Sequence, residues 1–262
     1  MKKILLVGGC SFTDSNFQTW VHPEIDATAW PKWPEIVAEK LNMKLVNVAF
    51  SGAGNEQIYS SILDYLSLNG SENIGLVLAA WSQCQRRDFQ KNTSFSKDRD
   101  YWHNDRVDSK GDVFYWVRKS LRYFISFQNL CKHHKLPYKQ FQMINLYFSW
   151  LNGLNKRDTE IADFLRDPEK NKNFVPKYKY PGDVKKDKKK ILRLLNDYEK
   201  AIDTNNFIGW PGVEQLGGYV IEGKVMQNGD YHKPGMVISE IDGHPTAKAN
   251  EKLAEFIYGQ LA

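Results

Sequence analysis

The sequence predicts an α/β fold: a central parallel sheet with helices on both faces. Three observations carry it. Ile4 to Val7 and Ile74 to Trp81 (IGLVLAAW) are unbroken apolar runs of strand length, the pattern of strands buried on both sides. Helical periods alternate with such runs along the chain. Segments carrying polar residues follow three of the strands, at Gly8 to Thr13, Phe50 to Asn55 and Trp81 to Arg87. In open α/β sheets, ligands bind beyond those carboxyl ends.

The elements follow in order. Lys2 to Val7 reads as the first strand, Pro34 to Leu41 as a short amphipathic helix and Lys44 to Ala49 (KLVNVA) as the second strand. Glu56 to Leu68 places Ile58, Ile62, Leu63 and Leu66 at helical spacing, and Ile74 to Trp81 is the third strand. Phe114 to His133 is a long helix, and Phe141 to Phe148 a fourth strand. Between residues 149 and 235 the pattern loosens into a segment rich in Lys, Asn, Asp and Gly, with one clear helix near Lys188 to Ile202. That segment is read as an insertion or cap within a single domain spanning 1–262. The last element, Thr246 to Leu261, carries Ala249, Leu253, Phe256 and Ile257 on one face, with Thr246 as a suitable cap residue.

Composition narrows the function. With 42% hydrophobic and 13% aromatic residues in 262, the chain has ample material for a packed core. The net charge of +5 owes much to Lys185 to Lys190 (KKDKKK), which reads as a solvated helix face, so no nucleic-acid partner is expected. No run approaches the roughly 18 apolar residues of a membrane span. Cys10, Cys84 and Cys131 are odd in number and widely spaced, which gives neither a metal pair nor a disulfide framework and points to a reducing compartment.

The stretch Leu5 to Ser15 (LLVGGCSFTDS) admits three readings. As an export signal it fails, because Ile4 to Val7 supply only four apolar residues where about 7–15 are needed. The chain is therefore expected in the cytoplasm, with carriage on a virion as the second location. As a phosphate cradle it matches neither GxGxxG nor GxxxxGK[ST], so no nucleotide or other cofactor is expected. As a strand delivering a nucleophile it works: Ser11 lies just past the strand, and Gly8 and Gly9 allow a sharp turn.

A serine hydroxyl needs a base. Asp242-Gly243-His244-Pro245 places a carboxylate two residues from an imidazole, close enough to orient the ring. Ser, Asp, His is a chain order that convergent hydrolases use. A second such pair, Asp230 and His232, lies in the irregular segment with no clear helix behind it. Cys10 reads as a small buried filler. His133-His134 sits at a helix end, where cations suit the dipole, so no metal is invoked.

These blocks resemble those of the SGNH (GDSL-type) hydrolase family. Gly9-Cys10-Ser11-Phe12-Thr13 corresponds to its first block, GDSxS, with Cys10 where Asp is usual. Asn47 to Gly52 resembles the second block and Asp242 to Pro245 the last, one residue shorter than the commoner DxxHP. The resemblance covers residues 1 to about 90 and 236 to 262. It implies a flavodoxin-like three-layer sandwich, a Ser11–His244–Asp242 triad and an oxyanion hole using the N–H groups of Ser11 and Gly52.

The third block departs from the family. Where GxND is expected the strand exits as Ala80-Trp81-Ser82-Gln83. Ser82, Gln83 and Asn55 are the candidate replacements for the missing Asn donor, so the site is expected either to be slower or to be rebuilt, with Asn55 preferred. The GCSFT, SGAGN and W-S-x-x-x-R segments also resemble variants from phage and surface-polysaccharide loci. Arg86 and Trp81 are expected to contact substrate, and Trp20, Trp30 and Trp33 either stack on sugar rings or pack the connecting loop. The implied activity is hydrolysis of a short acyl ester, foremost an O-acetyl group on a carbohydrate. Alternatives are acyl transfer by the same triad and an inactive glycan-binding or virion module.

Overall fold

The computed structural model describes residues 2–91, 101–108, 110–145, 184–213, 216–229 and 231–261. In chain order the elements are β1 (Ile4–Gly8), α1 (Trp33–Lys40), β2 (Lys44–Asn47), α2 (Asn55–Asn69), β3 (Ile74–Trp81), a hairpin of β4 (Arg87–Lys91) and β5 (Tyr101–Asp105), α3 (Val113–His133), β6 (Tyr138–Gln142), α4 (Val184–Tyr198), β7 (Phe207–Ile208), α5 (Ile221–Met226), β8 (Gln227–Asn228), β9 (Tyr231–His232) and α6 (Ala247–Gly259).

The central sheet runs β2-β1-β3-β6-β7, and every pairing in it is parallel. This is the doubly wound flavodoxin-like order, with the chain reversing its direction of growth beside β1. Helices cover both faces, α1 packing with α6 and α2 with α3. Leu5, Leu6, Val7 and Val77 to Trp81 have no exposed surface, as strands covered on both faces require.

One helix end makes a long-range tie and another closes locally. Helix α2 begins after Gly54, which has no side chain to cap it. Asp88 of β4 supplies the carboxylate instead: its Oδ1 accepts from Gly54 N at 2.8 Å and its Oδ2 from Gln57 N at 2.9 Å. An anion there satisfies orphan N–H groups and suits the helix dipole. At α6, Thr246 caps locally by accepting from Ala249 N.

The structure moves several boundaries. The fourth sheet strand is Tyr138–Gln142 rather than Phe141 to Phe148, and residues 146–148 lie outside the described ones. Its polar sequence, YKQFQ, hides it: Gln140 and Gln142 are buried, yet Gln140 Oε1 accepts from Trp81 Nε1 and Gln142 Nε2 donates to the carbonyls of Trp81, Ser82 and Ile144. Within the segment read as an insertion or cap, Phe207–Ile208 joins the central sheet as its edge strand, so that part belongs to the sheet itself. Residues 149–183 of that segment lie outside the described ones. The β4–β5 hairpin, absent from the sequence reading, is an antiparallel pair apart from the main sheet.

Trp81 is expected to touch substrate, and the structure corrects this. It has 0% exposure, packs against Phe124 at 4.9 Å between ring centroids, and meets Phe127 edge-on at 5.7 Å. It is a core residue. Trp81→Ala should cost about 3–5 kcal/mol of stability, read as a lowered urea midpoint; an unchanged midpoint would show that the ring is not packed. Among the described residues no helix is long and apolar enough to cross a membrane.

Candidate active site

Just past β1 the chain turns within five residues. Thr13 N and Asp14 N both donate to the Cys10 carbonyl, at 2.8 and 3.0 Å. The turn is so tight that a Cβ on Gly9 would lie 2.4 Å from Thr13 Oγ1, which only glycine tolerates. Cys10 is fully buried beneath it, as a small filler. Asn47 Nδ2 holds the far side through Thr13 O and Ser15 Oγ. The turn presents Ser11, 8% exposed, at the carboxyl end of β1.

The loop before α6 arrives from the opposite end of the chain. Ile238 N donates to His244 O and Ser239 N to Asp242 O, at 3.0 and 3.1 Å, closing a short hairpin-like turn. That turn brings His244 Nε2 to 2.9 Å from Ser11 Oγ and His244 Nδ1 to 2.5 Å from Asp242 Oδ1. A carboxylate can only accept. Nδ1 therefore carries the ring proton, and Nε2 is left to accept from the serine hydroxyl.

Burial alone would push the Asp242 carboxyl up. The hydrogen bond and charge of His244, the Thr19 hydroxyl and the His244 N–H outweigh that and hold it below the ordinary carboxylate value. Phe17 stacks on the imidazole at 4.1 Å between centroids, and Phe12 flanks it at 5.3 Å. The ring is thus held by contacts along its plane as well as across its face.

The second block meets the first through Asp14. Its Oδ2 accepts from both Ser51 N and Ser51 Oγ, at 2.9 and 2.7 Å. This fixes Gly52, whose φ of +89° lies in the left-handed region. Among the described residues, neither the Ser11 nor the Gly52 N–H has a hydrogen-bond acceptor. Both amides are available to an anion.

The expected side-chain donors fare differently. Asn55 is corrected: Nδ2 donates to Ser82 O and Ser120 Oγ, and Oδ1 accepts from Ser82 N. Its amide is fully spent joining α2 to the end of β3, with nothing left for an oxyanion. Ser82 is corrected too, since it has no exposed surface and its main-chain groups are held by Asn55 and Gln142. Gln83 is half-buried; its Oε1 accepts from Gln85 Nε2, and its own Nε2 has no acceptor among the described residues. Arg86 donates from Nη1 to Ala53 O at 2.9 Å and braces the Gly52 loop.

Of the remaining candidates, Trp33 is in the core, Trp30 is half-buried, and Trp20 is 52% exposed. The second histidine, His232, lies 3.4 Å from Glu222 Oε1, and its sequence partner Asp230 is outside the described residues. Among the described residues no group of three His, Cys, Asp or Glu side chains could hold a metal. Sequence reading missed Thr19, Phe17 and Asp14, because each acts through contacts that the chain makes only once folded.

No family model and no curated protein matches the chain. Solved structures do resemble it. TesA aligns over 99% of this chain and 98% of its own, with a TM-score of 0.49 and 12% identity. A GDSL-like lipase from Bacteroides thetaiotaomicron aligns over 99% and 87%, with a TM-score of 0.46 and 10% identity. An acetyl xylan esterase from the rumen bacterium Butyrivibrio proteoclasticus aligns over 99% of this chain and 63% of its own, with a TM-score of 0.43 and 10% identity.

Proposed function

We propose that this chain is a serine esterase of the SGNH (GDSL) type, a single domain that removes a short acyl group, foremost O-acetyl, from a carbohydrate. One observation carries the reading: the unbroken chain of hydrogen bonds from Ser11 Oγ through His244 to Asp242, across 233 residues of sequence. Ser11 Oγ attacks the ester carbonyl as its proton passes to His244 Nε2. The resulting oxyanion is held by the N–H groups of Ser11 and Gly52. Collapse breaks the ester C–O bond, and Nε2 returns the proton to the departing alcohol. Water then attacks the acyl-enzyme, giving its proton to Nε2, and the second collapse restores Ser11 and releases the acid.

A carbohydrate substrate is favoured by two half-exposed aromatics on segments that build the site. Trp20 (52% exposed) adjoins Thr19, and Phe50 (50% exposed) begins the Gly52 loop. Rings so placed suit the apolar faces of sugars. Among the described residues nothing points to a fatty-acyl groove.

The test is labelling by a fluorophosphonate probe, followed by acetate release from an O-acetylated glycan. Wild-type protein should label and release acetate, and His244→Ala should do neither. Acetate that reappears on an added glycan acceptor would assign acyl transfer. A folded chain that never labels would leave only a binding module.

A further inference from the structure

Asp242 is held by more than its histidine. Thr19, 4% exposed, donates its hydroxyl to Asp242 Oδ2, the oxygen that His244 does not use. The same Thr19 oxygen accepts from His22 N at 3.3 Å. His22 Nε2 then lies 2.8 Å from Ser239 Oγ, and Ser239 Oγ accepts from Asp242 N at 3.0 Å. The four residues close a ring of hydrogen bonds between the segment after the nucleophile and the loop bearing the acid. From this ring the geometry points to Thr19 as a positioning residue of the triad, fixing the rotation of the Asp242 carboxylate, with His22 and Ser239 locking the loop that carries it.

The physical reason lies in how a carboxylate rotates. Oδ1 takes both His244 donors, Nδ1 and the main-chain N, but a terminal torsion is broad and contacts at one oxygen alone hold it poorly. A donor on the second oxygen removes the freedom, and Oδ1 then faces Nδ1 permanently. Thr19 has no proton left for another role: its single hydroxyl hydrogen goes to Asp242, and its oxygen also takes His22 N.

A competing role for the ring can be weighed on the same distances. Ser239, His22 and Glu24 form a serine–histidine–acid chain of their own, with Nδ1 to Glu24 Oε1 at 3.1 Å. Ser239 Oγ, however, is already engaged by Asp242 N, and Glu24 is an exposed partner. The chain serves as a strut behind Asp242. Among the described residues, titratable groups at the acid loop include Glu240 and His244 on the loop, His22 with Glu24 on one side, and His232 with Glu222 on the other, where His232 Cε1 comes within 3.7 Å of the Cβ position of Gly243.

The inference rests on the esterase reading for its kinetic arm and is independent of it for its spectroscopic one. In proton NMR of the full chain, the His244 Nδ1 proton should give a far-downfield resonance, identified by its loss in His244→Gln. Thr19→Val, which keeps the shape and removes the donor, should broaden or abolish that resonance through exchange with water. It should also lower kcat for p-nitrophenyl acetate roughly 10- to 100-fold, the range a hydrogen bond to a charged group commands, with KM unchanged. Thr19→Ser should recover the resonance and most of the rate. Should Thr19→Val not fold, Thr19→Ala is the second donorless variant, and the same outcomes apply.

A sharp, unmoved resonance in the donorless variant overturns the assignment, as does a Thr19→Ser variant as impaired as Thr19→Val. No resonance in the wild type overturns it as well. A wild-type resonance that responds to Thr19→Val, in a protein that turns over no ester, supports the positioning role and overturns the esterase reading alone.

Discussion

Ser11→Ala should reduce turnover of p-nitrophenyl acetate by about 10⁵–10⁶-fold, to a residue set by the oxyanion donors and binding alone. The variant removes one oxygen from a side chain already 8% exposed, so folding and KM should barely change. The fall should appear almost wholly in kcat. Cys10 cannot take over, because its side chain is fully buried while the attacking atom must reach the substrate. Among the described residues, Ser239 is another hydroxyl beside a histidine nitrogen, at 2.8 Å from His22 Nε2. Burst kinetics make the result decisive: wild type should release one equivalent of nitrophenol rapidly, and Ser11→Ala none. A variant that keeps its burst would move the nucleophile away from Ser11, with Ser239 as the next oxygen to test.

The strands and the Asp242–His244 contact could be read from sequence because each is written locally, whereas the approach of Ser11 to His244 across 233 residues is expected only through the family resemblance. β1 and β3 are unbroken apolar runs, and burial on two faces leaves such strands little other composition. Asp242 and His244 are two residues apart, so their contact needs only a short turn. Where information is spread across the chain, reading failed. Asn55 offered a plausible free amide, but whether an amide is free depends on Ser82 and Ser120, which reach it only in the folded sheet. Gly54 is an unremarkable cap until Asp88 arrives from a hairpin that sequence did not predict. β6 buries Gln140 and Gln142 beside Tyr138 and Phe141, each glutamine bonded through one side-chain atom, Gln140 Oε1 and Gln142 Nε2, so a hydrophobicity pattern slides past it toward Phe148. Thr19 lies 223 residues from Asp242, with no local signal to mark it.

Asp242→Asn probes the same chain of hydrogen bonds from its other end. In the wild type Oδ1 accepts from both His244 Nδ1 and His244 N, and Oδ2 accepts from Thr19. An asparagine has a single acceptor oxygen. If that oxygen keeps Thr19, its NH₂ group faces Nδ1, and the ring must move its proton to Nε2. Nε2 then points a hydrogen at Ser11 and cannot take the serine proton. Loss of about 10⁴ in kcat is expected from the wrong tautomer with the geometry intact, and a fall below tenfold would remove Asp242 from the mechanism. Stability should respond in the opposite sense at low pH. The folded carboxyl is held below its ordinary 3.8, so it contributes stability above that value that is lost as pH falls through the depressed folded value. Asn has no proton to bind, so the unfolding free energy of Asp242→Asn should decline less steeply than the wild type's below about pH 4. Urea titrations at several acid pH values read the difference. Parallel curves would mean that the carboxyl is not held down by its hydrogen-bond partners in the fold, whatever the activity shows.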